Sequence, residues 1–499
     1  MEDGFPETIP DLLSWRAARA GGDAWLRYEG DSWTLGDVVD QADRFAVGLA
    51  ERGVAQGDRV AMLLGNRPAT LFSWFGANRL GAIAAPLNAA LKVPEIAGLL
   101  RLERPRVLVC AEEHSPLAEA ACLQLDEQER PVVVSPDDLA AGGNEAFRVD
   151  VHPGDVAVLI ATSGTTGTPK AVMQTHRTYT LTAEAFPAWL GLGPDDRLLV
   201  TLPLFHINAQ AYSVMGALGA GAGLAMTPKF SASRFWDEAR RLQATQVNLI
   251  GAMLHILLKA EPRPGDRDHA VKTVYSALAL PEAQHRAFEE RFGATITVGY
   301  GLSETTFGTV WPRGLAPKYG AMGRLRQHPR LGDINRARVV RDDGADAPDG
   351  EAGELWLANP GTMLGYWGDP GQTAAVLEGG WLRTGDLVRR DRDGDYTFVA
   401  RKKDVIRRRG ENVAAAEIEN VLLAHPAVAE AAAVGVPSDL GEDEIVAYVA
   451  PRPGVSIDLE ALRAWANGRL ADFKVPSVIH VRDTLPRTAT ERVAKHLLK

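Results

Sequence analysis

Apolar residues recur along positions 35–52 at three- and four-residue spacing: Val38, Val39, Ala42, Phe45, Ala46 and Leu49. That spacing predicts a helix with one buried face. Gly53-Val54 and Gly57-Asp58 then predict a turn, and the run RVAMLL over 59–64 predicts a strand. A second helix over 70–81 leads into the apolar run 82–87, and similar short runs occur at 107–110, 132–134, 156–161 and 247–250. Helix alternating with strand predicts an α/β protein with much parallel sheet. No fixed-period repeat or low-complexity tract interrupts the pattern.

The texture changes after about residue 320. Short strands are expected over 337–341, 354–357, 386–390 and 396–399, separated by turns such as Asp343-Gly344 and Asp393-Gly394. Helices over 415–424 and 459–470 then flank a strand over 431–436. The expected architecture is a large N-terminal domain, 1–402, of parallel-sheet α/β layers plus a β-rich subdomain. A small α+β C-terminal domain, 403–499, follows the basic, apolar-poor segment 401–404. Residues 209–226 and 247–258 approach membrane hydrophobicity. The first holds Gln210 and Ser213 and the second is too short to span a bilayer, so both read as buried core.

Composition narrows the function. The chain has 499 residues, 46% apolar and 24% charged, which excludes a disordered scaffold. A net charge of −10 leaves no basic excess for a phosphate backbone, so nucleic acid is not an expected partner, nor is a membrane. The two cysteines, Cys110 and Cys122, cannot build a disulfide framework or a Cys-rich metal site. The start MEDGFPETIP has neither a basic nor an apolar leader region, and a cytoplasmic enzyme is expected. No feature points to an oligomeric state.

The chemistry concentrates in 156–174, VAVLIATSGTTGTPKAVMQ. An apolar strand runs into Thr162, Ser163, Gly164, Thr165, Thr166, Gly167, Thr168, Pro169 and Lys170, and a second apolar run follows. Glycines let backbone N–H groups converge on an anion, the hydroxyls add donors, and Lys170 adds a point charge. The spacing is not that of a Walker loop. Elsewhere a polar hairpin would be the plainer reading of a Gly/Ser/Thr loop; this nine-residue string is far more specific.

Thr162–Lys170 resembles the phosphate-binding signature of the adenylate-forming superfamily of acyl-CoA synthetases, adenylation domains and luciferases. Four further motifs follow in the family's order. Pro203-Leu204-Phe205-His206 resembles its aromatic segment beside the acyl pocket, and Tyr300-Gly301-Leu302-Ser303-Glu304-Thr305 its adenine- and magnesium-binding motif. Trp381-Leu382-Arg383-Thr384-Gly385-Asp386 is similar to its ribose motif, and Arg401-Lys402-Lys403-Asp404-Val405-Ile406 with Gly410 to its hinge and the loop beyond. Residues 409–413 and 417–420 are most similar to the carnitine/crotonobetaine-CoA ligase subgroup.

The resemblance implies ATP, Mg²⁺ and coenzyme A as cofactors, and a small carboxylic acid or its acyl-adenylate as partner. It implies phosphate contacts from Thr162–Gly167 and Lys170, a nucleotide site at Tyr300, Ser303 and Thr305, and magnesium on Glu304. Asp386 and Arg401 would take ribose or phosphate oxygens, Gly410 would lie near coenzyme A, and His206 would line the acyl or coenzyme A channel. Plainer alternatives are core packing for Tyr300 and His206, a solvated or helix-capping carboxylate for Glu304, an Asx-turn for Asp386, and a surface ion pair for Arg401. Six basic residues within 401–409 suit an anion-receiving segment in an otherwise acidic chain.

Departures from the family pattern bear on catalysis. Ser276-Ala277-Leu278-Ala279-Leu280-Pro281 is bulkier than the usual Gly/Ala-rich adenine shelf, and Ala171 and Ala400 replace common glycines. The C-terminal motif reads Pro486-Arg487-Thr488-Ala489-Thr490-Glu491-Arg492, so Arg492 stands where the family's adenylating lysine is expected. The resulting reading is an acyl-CoA ligase in which either Arg492 weakens the adenylation half, or Arg492 or nearby Lys495 does the lysine's work adequately. The alternatives are an adenylation enzyme that loads a carrier protein, or an acyl-adenylate-binding protein without turnover.

Overall fold

Local chemistry sets each α/β unit. Helix Leu35–Glu51 opens at Thr34, whose hydroxyl accepts from the Asp37 N–H at 3.1 Å while the Asp37 carboxylate accepts from the Thr34 N–H at 2.8 Å. This reciprocal pair satisfies two N–H groups that the helix cannot. Helix Pro68–Arg79 opens two residues earlier than the spacing predicts, because Pro68 fits a first turn where its missing N–H costs nothing. The computed structural model of the chain describes residues 4–143, 149–163, 169–277, 279–408, 411–437, 443–470, 472–488 and 492–498.

Within these residues the chain divides into two compact units. The first runs to Ser163, then from Pro169 to Ala337, and takes in Leu357–Leu382; the second holds Arg338–Trp356 and Arg383 onward. One sheet of the first unit has the order Gly365–Tyr366, Pro169–Thr175, Val156–Ser163, Ile83–Pro86, Arg59–Leu63, Val107–Cys110, Val132–Val134. Its strands run parallel from Val156–Ser163 onward. A second sheet places Gln246–Leu249, Thr273–Ser276 and Thr295–Leu302 in parallel, then turns back antiparallel through Thr305–Val310 and Ala321–Leu325. The fold is α/β, as the alternation predicts.

The stretch 209–226 is buried, as its composition predicts: a π-helical turn Asn208–Val214, helix Met215–Ala220 and strand Gly223–Met226. The stretch 247–258 divides between strand Gln246–Leu249 and helix Gly251–Lys259. Among the described residues no helix is long and apolar enough to cross a membrane.

In the second unit, the strand residues 338–340, 352–356, 383–390 and 396–401 lie side by side in that order. Hairpin Val405–Arg408 with Glu411–Ala414 follows. Strands Val428–Pro437, Asp443–Pro451 and Val478–Val481 then form a sheet, with helices Ala415–Leu423 and Leu459–Asn467. Ile406, Ile418, Leu422, Ile445 and Leu462 share one buried cluster there. Compactness thus groups 383–402 with the C-terminal residues. The expected division at 402/403 rests on the basic, apolar-poor segment 401–404.

Candidate active site

In the first unit, Val156–Ser163 and Pro169–Thr175 form an antiparallel hairpin with Thr162 opposite Lys170 and Ser163 opposite Pro169. Gly164, Thr165, Thr166 and Gly167 lie outside the described residues. Strand Gly365–Tyr366 pairs alongside, with Tyr366 opposite Val172. Lys170 Nζ lies 4.6 Å from the centre of the Tyr366 ring, within cation–π range. The Tyr366 hydroxyl donates to Glu304 Oε1 at 2.9 Å. Burial, reinforced by the Glu304 carboxylate, pushes the Tyr366 phenol far above its ordinary range, so it stays a donor.

Backbone contacts fix the same corner. The Met363 N–H donates to the Glu304 carbonyl at 2.8 Å, and Gln174 Nε2 donates to the Ser303 carbonyl at 2.5 Å. Thr305 is fully buried and its hydroxyl donates to Asn359 Oδ1 at 3.1 Å. Tyr300 is 7% exposed, opposite Thr309 across the hairpin. A Cβ at position 308 would lie 2.1 Å from the Tyr300 carbonyl oxygen, so glycine is required there. Glu304 is half-buried, and a carboxylate steadied by a neutral phenol suits a hard cation such as Mg²⁺.

Arg326, fully buried, lies beneath the 299–301 backbone. Its Nε donates to the Thr309 carbonyl at 2.9 Å, and its Nη1 to Tyr212 Oη at 2.6 Å and the Thr306 carbonyl at 2.7 Å. A Cβ on Gly299 would lie 2.7 Å from its Nη2, which explains that glycine. His206 presents a half-buried ring tilted against Phe205 at 4.4 Å. On the adenine shelf Leu280 is 1% exposed and belongs to the cluster of Phe288 and Val298, so its bulk is absorbed by core.

In the second unit, Asp386 and Arg401 face each other on neighbouring strands, with Arg401 Nε 3.0 Å from Asp386 Oδ1 and the Asp386 side chain 1% exposed. Gly385 has φ +69°, and its N–H donates to Glu354 Oε1 at 3.1 Å. The basic run is partly neutralised within the unit. Lys402 Nζ lies 3.1 Å from Asp342 and 3.3 Å from Glu354, while Arg408 reaches Glu444 at 3.3 Å. Gly410 and Glu491 lie outside the described residues. Arg492 is exposed on a turn in which its carbonyl accepts from the Thr488 N–H at 2.7 Å. Lys495, three residues on, has its Nζ 2.7 Å from Glu419 Oε1 and 3.7 Å from Asp404 Oδ2.

A model of the AMP-binding enzyme family matches residues 13–367, and one of the AMP-binding enzyme C-terminal domain matches 417–492. The chain belongs to the AMP-binding enzyme family. It is 32% identical to a crotonobetaine/carnitine–CoA ligase of Escherichia coli over 470 residues, 90% of this chain and 89% of that one. Among solved structures it is similar to the O-succinylbenzoate coenzyme A synthetase MenE of Bacillus subtilis in complex with ATP and magnesium ion. There the TM-score is 0.87 at 27% identity, over 98% of this chain and 99% of that one. MatB of Rhodopseudomonas palustris, solved with ATP, gives a TM-score of 0.85 at 26% identity, over 98% of each chain.

This AMP-binding enzyme is an AMP-forming acid–thiol ligase: it makes an acyl-CoA through an acyl-adenylate, with ATP/AMP and coenzyme A as cofactors. The motif resemblance is borne out at that level, including its leaning toward the carnitine/crotonobetaine ligases. Sequence reasoning missed Tyr366 and Arg326. The available signal for Tyr366 was an aromatic residue after Gly365 in a turn-rich stretch.

Proposed function

We propose that the enzyme activates a small or medium carboxylic acid in the cytoplasm, and that the motif residues divide the work as follows. Thr162–Gly167 and Lys170 hold the β- and γ-phosphates of ATP. Glu304 holds the magnesium ion, which supplies charge neutralisation on the phosphate oxygens. Tyr300, Ser303 and Thr305 flank the adenine, while Asp386 with Arg401 takes ribose oxygens. Gly410 and the basic run receive coenzyme A, and His206 lines the acyl channel. Little covalent chemistry falls to the protein; positioning and charge stabilisation dominate such transfers. The small domain, 403–499, swings about Lys403 between the two half-reactions.

The observation that carries the phosphate assignment is the meeting of Lys170 and Glu304, far apart in sequence, at one phenol, the lysine over its ring and the glutamate at its hydroxyl. A panel of carboxylic acids, carnitine and crotonobetaine included, tests it through separate pyrophosphate and thioester readings. Glu304→Gln should lose pyrophosphate release with every acid, and full retention would refute the metal role. Relatives named as CoA ligases favour coenzyme A over a carrier protein as the acceptor.

A second element of the reading is that Arg492 weakens adenylation. A planar guanidinium cannot place one donor where a compact ammonium would sit. A misplacement of about 1 Å costs roughly a hundredfold, about 2.7 kcal/mol. Lys495, the nearby substitute, is engaged by Glu419. Arg492→Lys should raise adenylation at least about tenfold, equal to about 1.4 kcal/mol, and leave thioester formation from synthetic acyl-adenylate unchanged. Pyrophosphate release by the unmodified enzyme at ordinary enzyme rates would refute it.

A further inference from the structure

We propose that Tyr366 is a positioning residue for the phosphate–metal corner: its hydroxyl holds Glu304 and its ring face holds Lys170, which keeps that carboxylate and that ammonium from neutralising each other. The proposal rests on the roles given above to Lys170 and Glu304.

Three observations support it. First, the tyrosine is 6% exposed and contacts both groups at once, the ammonium at 4.6 Å from its ring centre and the carboxylate at 2.9 Å from its hydroxyl. A free Lys–Glu pair in a half-buried corner would gain from collapsing into a direct ion pair, and each charge would then be spent before ATP arrives. An aromatic face attracts the cation without offering a counter-charge, and a phenol attracts the carboxylate without supplying one. Both charges therefore remain available to a ligand.

Second, the tyrosine is itself rigidly placed. The Leu364 N–H donates to the Met173 carbonyl at 3.1 Å and the Trp367 N–H to the Ala171 carbonyl at 2.8 Å, which locks this strand onto the one carrying Lys170. The Tyr366 N–H donates to Thr373 Oγ1 at 2.9 Å. Third, the same segment grips the glutamate's backbone, through the Met363 N–H on the Glu304 carbonyl and a bridge between Thr362 and Thr305. One short segment thus sets the spacing between the loop lysine and the metal-motif glutamate, and Tyr366 is its side-chain contact to both.

The test uses the full chain with Mn²⁺ as a paramagnetic probe. Bound Mn²⁺ is measured by electron paramagnetic resonance in the presence of ATP, and ATP binding is measured separately in a chelator. Tyr366→Phe keeps the ring and removes the hydroxyl, so Mn²⁺ binding should weaken about tenfold or more while metal-free ATP binding stays within about threefold. Tyr366→Leu removes both contacts and should weaken both measurements. Thioester formation by Tyr366→Phe from synthetic acyl-adenylate and coenzyme A, without metal, should stay within about twofold of the unmodified enzyme. Unchanged Mn²⁺ binding in Tyr366→Phe overturns the proposal. Equal loss in all assays, or loss of the fold by circular dichroism, also overturns it, since the phenol would then be structural only. Glu304→Gln separates the layers. If it binds Mn²⁺ normally, the metal role of Glu304 fails and Tyr366 falls with it; if it loses Mn²⁺ while Tyr366→Phe does not, only the tyrosine proposal fails.

Discussion

Glu103 ends helix Val93–Glu103 with a side chain that is 1% exposed and two carboxylate oxygens that find no hydrogen-bond partner among the described residues. Arg59, whose charge acts on it, spends its Nε on the Glu103 backbone carbonyl at 2.8 Å instead. Burial pushes the carboxyl up to about 8 from an ordinary 4.5, with Arg59 only partly opposing. Between those two values the folded protein keeps a proton that the unfolded chain releases. Stability is therefore complete below about pH 4.5 and falls as pH rises through about 8, where the folded state must also ionise. At 1.36 kcal/mol per unit the full loss is about 5 kcal/mol, an upper figure because local opening would relieve part of it. Glu103→Gln removes the titration and keeps the shape. The assay is urea unfolding of both proteins from pH 5 to pH 8.5, following the transition that the substitution moves, since a chain of two units need not unfold in one step. The variant should match the unmodified protein near pH 5 and exceed it by several kcal/mol at pH 8.5. An isotope-edited infrared spectrum should show a protonated carboxyl at neutral pH that Glu103→Gln lacks. Parallel pH curves for the two proteins would refute the reasoning.

Three other substitutions have defined outcomes. Gly308→Ala drives a Cβ to 2.1 Å from a backbone oxygen and should cost about 3 kcal/mol or more in thermal unfolding, along with adenylation activity. Lys495→Ala should leave pyrophosphate release within about threefold, because Glu419 already holds that ammonium; a loss above about thirtyfold would make Lys495 the adenylating cation. Lys403→Pro fixes φ near −65° and should slow one half-reaction more than about tenfold while sparing the other; equal losses in both would count against a swinging small domain.

The fold was legible where one period dominated. Helix Leu35–Glu51 carries its apolar face at the predicted positions, and its cap is written in Thr34 and Asp37. Strand Asp443–Pro451 was missed, although it pairs with both neighbours in its sheet, because DEIVAYVAP is buried on both faces along most of its length and lacks alternation. The basic run 401–409 was legible as charge but not as partners. Lys402 and Arg408 meet acids that come from residues 342, 354 and 444, a proximity that only the folded chain creates.

The candidate site divides the same way. Short motifs mark groups whose chemistry faces a ligand, since such groups must occur in fixed types at fixed spacing within one loop. The residues that hold those groups obey a weaker constraint: they need only reach the right point from wherever the chain passes. Arg326 reaches the 299–301 backbone from the far end of strand Ala321–Leu325 and is satisfied by two carbonyls and tyrosine hydroxyls. An arginine in such a string reads as a surface residue, because burying a guanidinium is costly unless several acceptors converge on it. Convergence of that kind is a property of topology. Gly299 and Gly301 are the trace it leaves in the sequence: a Cβ on either would run into Arg326, Tyr275 or Tyr212, so the two glycines flanking Tyr300 record the bulk packed beneath them as much as any ligand above.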